Sequence, residues 1–190
     1  MVVPPHPTPM TDKRALRAEL RARRRKFVAG RPTAPAPPAL FLDALRPGLI
    51  VASYVPIGGE ADPARFDRAV RMAGASLAWP VVVDRESPIS FHIDDAMQDG
   101  PFGLRQPEPR SSAVAPDIIL TPLVGFDAAG NRLGQGAGHY DRAFARWPGA
   151  LRIGIAWSVQ QVDALPCDPW DVPLHAIVTE TDLFLTGECP

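Results

Sequence analysis

"PDIILTPLVGFDAAGNRLGQGAGHYDRAFARW" (residues 116–147) runs from an apolar stretch, through a turn and three alternately placed glycines, into a helical pattern. Ile118–Leu120 lies in the most apolar strand candidate of the chain, and such a short continuous run is what a fully buried strand requires. Gly130 and Asn131 both tolerate positive φ and predict a tight turn. Gly134, Gly136 and Gly138 then allow backbone conformations and close approaches that a Cβ would forbid. The helix that follows, from His139 to Trp147, points free N–H groups and its positive dipole end back at the loop, a ready site for an anion. Arg132 brings a fixed charge to the same place, and together these features suit a phosphate. The loop is neither the dinucleotide pattern G-x-G-x-x-G nor the P-loop pattern G-x-x-x-x-G-K-[ST].

On either side of this unit the chain alternates apolar and helical runs. Residues 11–30 have Thr11 or Asp12 as N-cap, good helix formers throughout, and Gly30 with Pro32 as a stop. Leu16, Leu20 and Phe27 lie on one stripe of that helix at spacings of four and seven. A shorter helix is predicted within residues 39–47, a buried strand within 48–56, and a turn-rich loop through Gly58, Gly59 and Glu60. Residues 61–74 read as a helix with Phe66, Val70 and Met72 as its inward candidates. Residues 75–83 predict a strand that Pro80 makes irregular or places at an edge. A short alternating strand follows at 87–93, then a long loop over 94–112, and apolar strands at 150–157 and 175–180. Strands alternating with helices predict an α/β three-layer domain with a mainly parallel sheet and right-handed crossovers. Four prolines in the first nine residues mark 1–10 as a disordered leader, with Met10 an alternative start, and leave 11–190 as a single domain.

Composition sets the outer bounds. A chain of 190 residues buries roughly two-thirds of its unfolded surface, so a core of useful size needs no staples. At 46% hydrophobic and 22% charged residues the composition is that of an ordinary globular protein. The net charge of −1 gives no bulk attraction to nucleic acid or anionic membrane. No apolar run reaches the roughly 18 residues of a membrane helix. Two cysteines, Cys167 and Cys189, are too few for a disulfide scaffold and fit a reducing cytoplasm; Cys167 is read as structural rather than reactive.

Several side chains carry candidate chemistry. Lys13, Arg14 and Arg17 share the start of the first helix, with Lys13 and Arg17 four apart on one face. Arg21 to Lys26 read as a solvated basic face. Glu60 ends a strand at a loop, where α/β proteins place binding groups. Asp141, in the first turn of the helix after the glycines, is either a dipole partner or a carboxylate for a Mg²⁺ that bridges phosphate oxygens. Asp171, in a proline-bounded loop, offers a second carboxylate. The four histidines, at 6, 92, 139 and 175, form no metal-ligand spacing, and zinc is not expected.

Taken in order, these pieces resemble the 5-formyltetrahydrofolate cyclo-ligase (methenyltetrahydrofolate synthetase) family. "KRALR" (13–17) matches its K-x-x-L-R, and "YVPIGGE" (54–60) its Y-x-P…G-E. "FGLRQPEP" (102–109) is similar to its F-G-I-x-E-P loop, and "LPCDPWDVPLHAIVTE" (165–180) to its closing L-P-x-x-x-x-D…T-E. The most specific match is residues 121–142, similar to P-G-x-x-F-D-x-x-G-x-R-L-G-x-G-x-G-[YF]-Y-D. The resemblance runs from Lys13 to about Glu180.

It implies an architecture like that of sugar-phosphate isomerases and CoA transferases. It also implies MgATP-dependent conversion of 5-formyltetrahydrofolate to 5,10-methenyltetrahydrofolate, ADP and phosphate. From cysteine usage and charge the chain is expected in the cytoplasm without nucleic-acid or membrane partners, as a monomer with an oligomer left open. The formyl oxygen would attack the γ-phosphate, and N10 would close the ring as phosphate leaves. Carried over by position, Lys13, Arg14, Arg17, Arg132 and the loop Leu133, Gly134, Gln135, Gly136, Ala137, Gly138, His139 and Tyr140 would bind ATP. Glu60 and Val55, with Gln135, Gly136, Ala137, Gly138 and His139, would bind the folate. Asp141 and Asp171 would serve Mg²⁺, and no residue is assigned as general base.

The sequence departs from the family pattern at His139, where Tyr or Phe is usual, and at Ala137, where Gly or Lys is common. Gln106 stands where the loop often has glutamate, and Trp170 and His175 replace common polar residues. Other readings are a non-catalytic folate- or nucleotide-binding relative, another enzyme of the same architecture, and an Arg-rich nucleic-acid-binding protein. The last predicts steep salt dependence, which the near-neutral charge and the lack of aromatic platforms oppose.

Overall fold

Adjacent residues of the same short strands face opposite sides of one sheet, and this alternation builds the layers. The structure, a computed structural model, describes residues 13–186 apart from 95, 104 and 109–111. The leader at 1–10 and Cys189 lie outside the described residues. The helices are α1 (Lys13–Val28), α2 (Ala39–Ala44), α3 (Ala64–Met72) and α4 (His139–Arg146). The strands are β1 (Ile50–Ala52), β2 (Ser76–Val81), β3 (Ser90–His92), β4 (Met97–Asp99), β5 (Arg105–Pro107), β6 (Ile118–Pro122), β7 (Gly125–Phe126), β8 (Arg132–Leu133), β9 (Leu151–Ile155), β10 (Ala176–Val178) and β11 (Leu183–Leu185).

Seven strands form the main sheet in the order β11-β10-β9-β6-β1-β2-β3. The five central strands are parallel, and both edges, β11 and β3, are antiparallel to their neighbours. Val51, Leu77, Ile118, Leu120 and Ile153 pack on one side against Phe41 of α2 and Phe66 and Val70 of α3. Ala52, Ala78, Ile119 and Ile177 face the other side, where Phe144 of α4 and Phe126 cover them. A period of two along each strand thus sends successive side chains into two separate cores.

Four expectations are corrected in detail. Met72 is 81% exposed, because it lies two residues, about 200° of helix, from the inward Val70. Pro80 does not sit on an edge strand: β2 pairs with both β1 and β3, and β1 has ended opposite Ala78 before Pro80 is reached. The long loop at 94–112 contains a small antiparallel pair, β4 and β5, with a 3₁₀ turn at Pro101–Gly103 between them. Arg24 is no part of a solvated face; it is 3% exposed.

The sheet order also fixes where a ligand can sit. The connection from β1 leads through α3 to β2 on one side, whereas β6, on the other side of β1, leads through α4 to β9. Loops leaving β1 and β6 therefore diverge and open a crevice at the carboxyl ends of these strands, the topological switch point where open α/β sheets bind ligands.

Candidate active site

A cavity of about 710 Å³ occupies that crevice, within the range of small-molecule sites. Its wall takes Tyr54, Val55, Ile57 and Glu60 from the chain leaving β1, Val82 from the end of β2, and Pro122 from the end of β6. Residues 132–142, the glycine loop and the first turn of α4, line it continuously.

Two of the loop's glycines are required by conformation. Gly136 has φ 108° and Gly138 φ 69°, and the latter caps α4 in the left-handed region without a side-chain hydrogen bond. Gly134 differs from expectation: its φ is ordinary, a Cβ there would meet open space, and its carbonyl accepts from Arg17 Nε at 2.9 Å. The turn before the loop is tied by Asp127. Its Oδ1 accepts from the N–H groups of Ala129 and Asn131, and its Oδ2 from the Asn131 amide and the Leu165 N–H. That clasp sets β8 and with it Arg132.

Arg132 lies with its guanidinium carbon 4.5 Å from the centre of the Phe144 ring. It donates to Asp141 Oδ1 at 2.6 Å and to the Val172 carbonyl at 2.7 Å. Lys13 from α1 bridges two carboxylates, Asp168 at 2.6 Å and Asp171 at 3.0 Å. Burial alone would lower the Lys13 pKa, but hydrogen bonds and charge from these two aspartates outweigh it and raise the amine above its ordinary value. Burial likewise works against Asp171, yet the Asp168 N–H and Lys13 hold its carboxyl below the usual range. Both groups stay ionised at neutral pH.

Glu60 is a buried carboxylate in the same wall. Its Oε2 accepts from the Ile57 N–H at 3.1 Å and its Oε1 from the Gln135 amide at 3.0 Å, while Arg24 lies 3.9 Å from Oε1. Burial raises the Glu60 pKa, and the Ile57 N–H, Gln135 and Arg24 oppose it. Gln135 also accepts from Arg21, so α1 holds the glycine loop at two successive residues, Gly134 and Gln135. His139 is held uncharged: burial and the Arg142 charge lower its pKa, and its Nδ1 accepts from Arg142 at 3.0 Å. Burial, then the charge of Glu60, raises the Tyr140 phenol, which therefore stays a hydrogen-bond donor.

A model of the 5-formyltetrahydrofolate cyclo-ligase family matches residues 9–180. The chain belongs to that family. Among curated cyclo-ligases, the Haemophilus influenzae protein is 34% identical over 154 residues, covering 74% of this chain and 80% of that protein. The Escherichia coli K12 cyclo-ligase is 30% identical over 144 residues, 70% of this chain and 79% of that one. Of solved structures, the 5,10-methenyltetrahydrofolate synthetase of Aquifex aeolicus superposes with TM-score 0.66 at 28% identity, covering 93% of each chain. That of Mycoplasma pneumoniae gives 0.64 at 26% identity over 90% of this chain and 99% of that one. Membership of the cyclo-ligase family makes this chain an enzyme, a ligase of folate one-carbon metabolism.

Within a cyclo-ligase frame, the cavity brings together Lys13, Arg17, Val55, Glu60, Arg132, the loop from Leu133 to Tyr140, Asp141 and Asp171. Arg14 is exposed and absent from the wall, because it stands 100° around α1 from Lys13. His175 is buried beside Arg152, away from the cavity, whereas Trp170 stands 69% exposed on its rim. Gln106 is buried and serves as a tether, its Oε1 accepting from the Val82 N–H at 2.9 Å. Cys167 is exposed; partial desolvation and the charges of Asp127 and Asp171 raise its pKa, so it is a thiol at neutral pH. Sequence reasoning missed Asp168, Arg85, Arg105 and Arg142, all of which line the cavity. For Asp168 a signal existed: it precedes Asp171 by one turn's spacing in the same proline-bounded segment.

Proposed function

We propose that this cavity holds MgATP and 5-formyltetrahydrofolate side by side and couples ATP cleavage to ring closure, the activity for which the family is named. The observation that carries the reading is the meeting, at one switch point, of a cationic and carboxylate-bearing end with a mainly apolar wall that holds one buried glutamate. Lys13, Arg17, Arg132 and the N–H groups of the 133–140 loop bind the phosphates. Glu60, Val55 and the opposite face of the loop hold the folate, and Arg14 contributes only to the field outside the wall.

The formyl oxygen attacks the γ-phosphorus as the bond to ADP breaks, giving a phosphorylated imidate at N5. N10 then adds to the formyl carbon, phosphate departs with the former formyl oxygen, and the N10 proton passes to solvent. Phosphorylation converts an amide oxygen into a leaving group. The protein's share is to align the reactants and balance phosphate charge, as phosphoryl transfer generally requires. Neutral His139 offers a flat ring at the loop, and Tyr140 a protonated phenol. No residue is assigned as general base.

The donor set fits Mg²⁺. Asp141 and Asp171 are hard oxygen donors in one cavity, and each commits one named oxygen to its cation, Oδ1 to Arg132 and Oδ2 to Lys13. No group of three or more His, Cys, Asp or Glu among the described residues forms a metal site of its own. An ion carried on nucleotide oxygens needs only one or two protein carboxylates, and when bound it neutralises charge on those oxygens.

The same reading takes residues 11–190 as one domain of the sugar-phosphate isomerase and CoA transferase type, acting as a cytoplasmic monomer. Among the described residues no helix is long and apolar enough to cross a membrane. Purified protein mixed with 5-formyltetrahydrofolate and MgATP is expected to generate the absorbance of the methenyl product. No product would overturn the reading. Asp141→Ala is expected to lower turnover about 100-fold or more, the size of effect known for losing one electrostatic partner of a developing charge; unchanged turnover over a Mg²⁺ titration would remove its metal role.

A further inference from the structure

We infer that Arg85 and Arg105 bind the carboxylates of the folate's glutamyl tail, at the far end of the cavity from Lys13 and Asp171. The inference rests on the cyclo-ligase reading and extends it to a subsite which that reading leaves empty.

The charges lining the cavity are segregated. Its carboxylates are Glu60, Asp141, Asp168 and Asp171, carried by the chain leaving β1, by α4 and by the segment before β10. Among the described residues, the wall built on β2 and the β4–β5 pair has none. Pro80, Val82 and Ile89 make it apolar, and Arg85 and Arg105 make it cationic. Sheet order separates the two ends, since β10 and β9 lie on one side of β6 and β1, and β2 lies on the other. Gln106, one residue after Arg105, ties its strand to β2 at Val82, so the two arginines reach the cavity from adjoining segments.

Both arginines are exposed, and among the described residues neither is ion-paired with a carboxylate. Arg105 donates to the Met97 carbonyl, at 3.1 Å. Three acids adjoin these arginines in sequence or register, Asp84 and Glu86 on either side of Arg85 and Asp99 opposite Arg105, and none of them lines the cavity; Asp84 spends its oxygens on the Glu86 and Ser87 N–H groups and the Ser87 hydroxyl. Arg142 fastens this end in place. Its guanidinium donates to the carbonyls of Ala137 and Arg85, each at 3.0 Å, and to His139 Nδ1, so one side chain ties the glycine loop to the Arg85 segment.

A ligand for such a wall is an apolar, flat body ending in carboxylates. A p-aminobenzoylglutamate has that form: the ring suits Pro80, Val82 and Ile89, and the α- and γ-carboxylates suit two guanidinium forks. Because the arginines stand at the rim, further glutamyl residues would extend into solvent while keeping this contact. The competing anion is the nucleotide's phosphate, and the experiment separates the two.

Steady-state KM and kcat would be measured for the wild type, R85A, R105A, R85A/R105A and R105K. The substrates are 5-formyltetrahydrofolate, its triglutamate, the pteroate analogue lacking glutamate, and MgATP. Two rim-exposed, charge-assisted contacts together predict a rise in KM for 5-formyltetrahydrofolate of about 5–10-fold in the double variant. KM for MgATP and kcat should stay within about twofold, the pteroate analogue should be indifferent to the substitutions, and R105K should recover part of the loss. An unchanged KM for the glutamylated substrates, or a rise confined to MgATP, would overturn the subsite while wild-type turnover left the cyclo-ligase reading standing. Absence of wild-type turnover would overturn both.

Discussion

Asp67 should make this fold less stable as pH rises through the mildly acidic range. It sits in the first turn of α3, 7% exposed, and accepts a hydrogen bond from the Ser53 hydroxyl at 2.6 Å beneath the end of β1. Burial lifts its pKa from 3.8 to about 6, against the lowering effects of Ser53 and Arg71. Between those two values the folded protein holds about one proton more than the unfolded chain, so stability falls with increasing pH. A displacement of roughly two units corresponds to about 3 kcal/mol. That contribution is full below pH 4 and gone above about pH 6.

Urea unfolding of wild type and Asp67→Asn at half-unit steps from pH 4 to 7.5 isolates this term. Asparagine keeps the acceptor for Ser53, does not titrate, and buries amide hydrogens whose cost, about 1–3 kcal/mol, is the same at every pH. The absolute level of the variant therefore decides nothing, and the difference curve decides everything. Stability of the variant minus that of wild type should grow by about 3 kcal/mol across the range. With a chain of this length, that is a Tm difference of roughly 6–12 °C. Ser53→Ala removes a bond to the charged form and should move the midpoint of the curve to higher pH. Parallel stability curves for wild type and Asp67→Asn would refute the reasoning.

Two further outcomes test the network around the site. Arg24→Met strips the nearest cation from buried Glu60 and should cost about 3 kcal/mol at pH 8, with most of it restored by adding Glu60→Gln; single losses that simply sum in the double variant would deny the coupling. Gly138→Ala forces a left-handed residue to carry a Cβ 3.1 Å from Arg142 and should destabilise by about 1–2 kcal/mol, whereas Gly134→Ala should stay within about 0.5 kcal/mol in the same denaturation assay.

The contrast between those glycines shows what the sequence could and could not reveal. Alternating glycines before a helix mark a loop that needs conformational freedom, and two of the three use it. The third, Gly134, is indistinguishable in the sequence, because its role depends on what lies across the loop and not on its own φ. The layered sheet was legible because Ile118–Leu120 and Ile153–Ile155 are apolar wherever they meet a core. The β4–β5 pair was not: Met-Gln-Asp and Arg-Gln-Pro carry no alternation, and a distant contact, Gln106 to Val82, anchors the pair. Arg85 and Arg105 escaped for the same reason, since only sheet order brings them to one wall.

Arg24 was hidden differently, because its signal is present but reads as a gap. Leu16, Leu20 and Phe27 form a stripe with steps of four and seven, and a step of seven omits one helical position from the buried face. Position 24 is that one, four after Leu20 and three before Phe27. Amid Arg21–Lys26 an arginine there looks solvated. An unbroken stripe would have placed a leucine at 24 and left the buried Glu60 carboxylate without the cation that lies 3.9 Å from it. The chain puts a guanidinium there instead, leaving its Nε without a hydrogen bond among the described residues. A buried charge with an unsatisfied donor is unfavourable for stability alone. Beside Glu60, however, its charge favours the ionised carboxylate, which burial by itself would oppose.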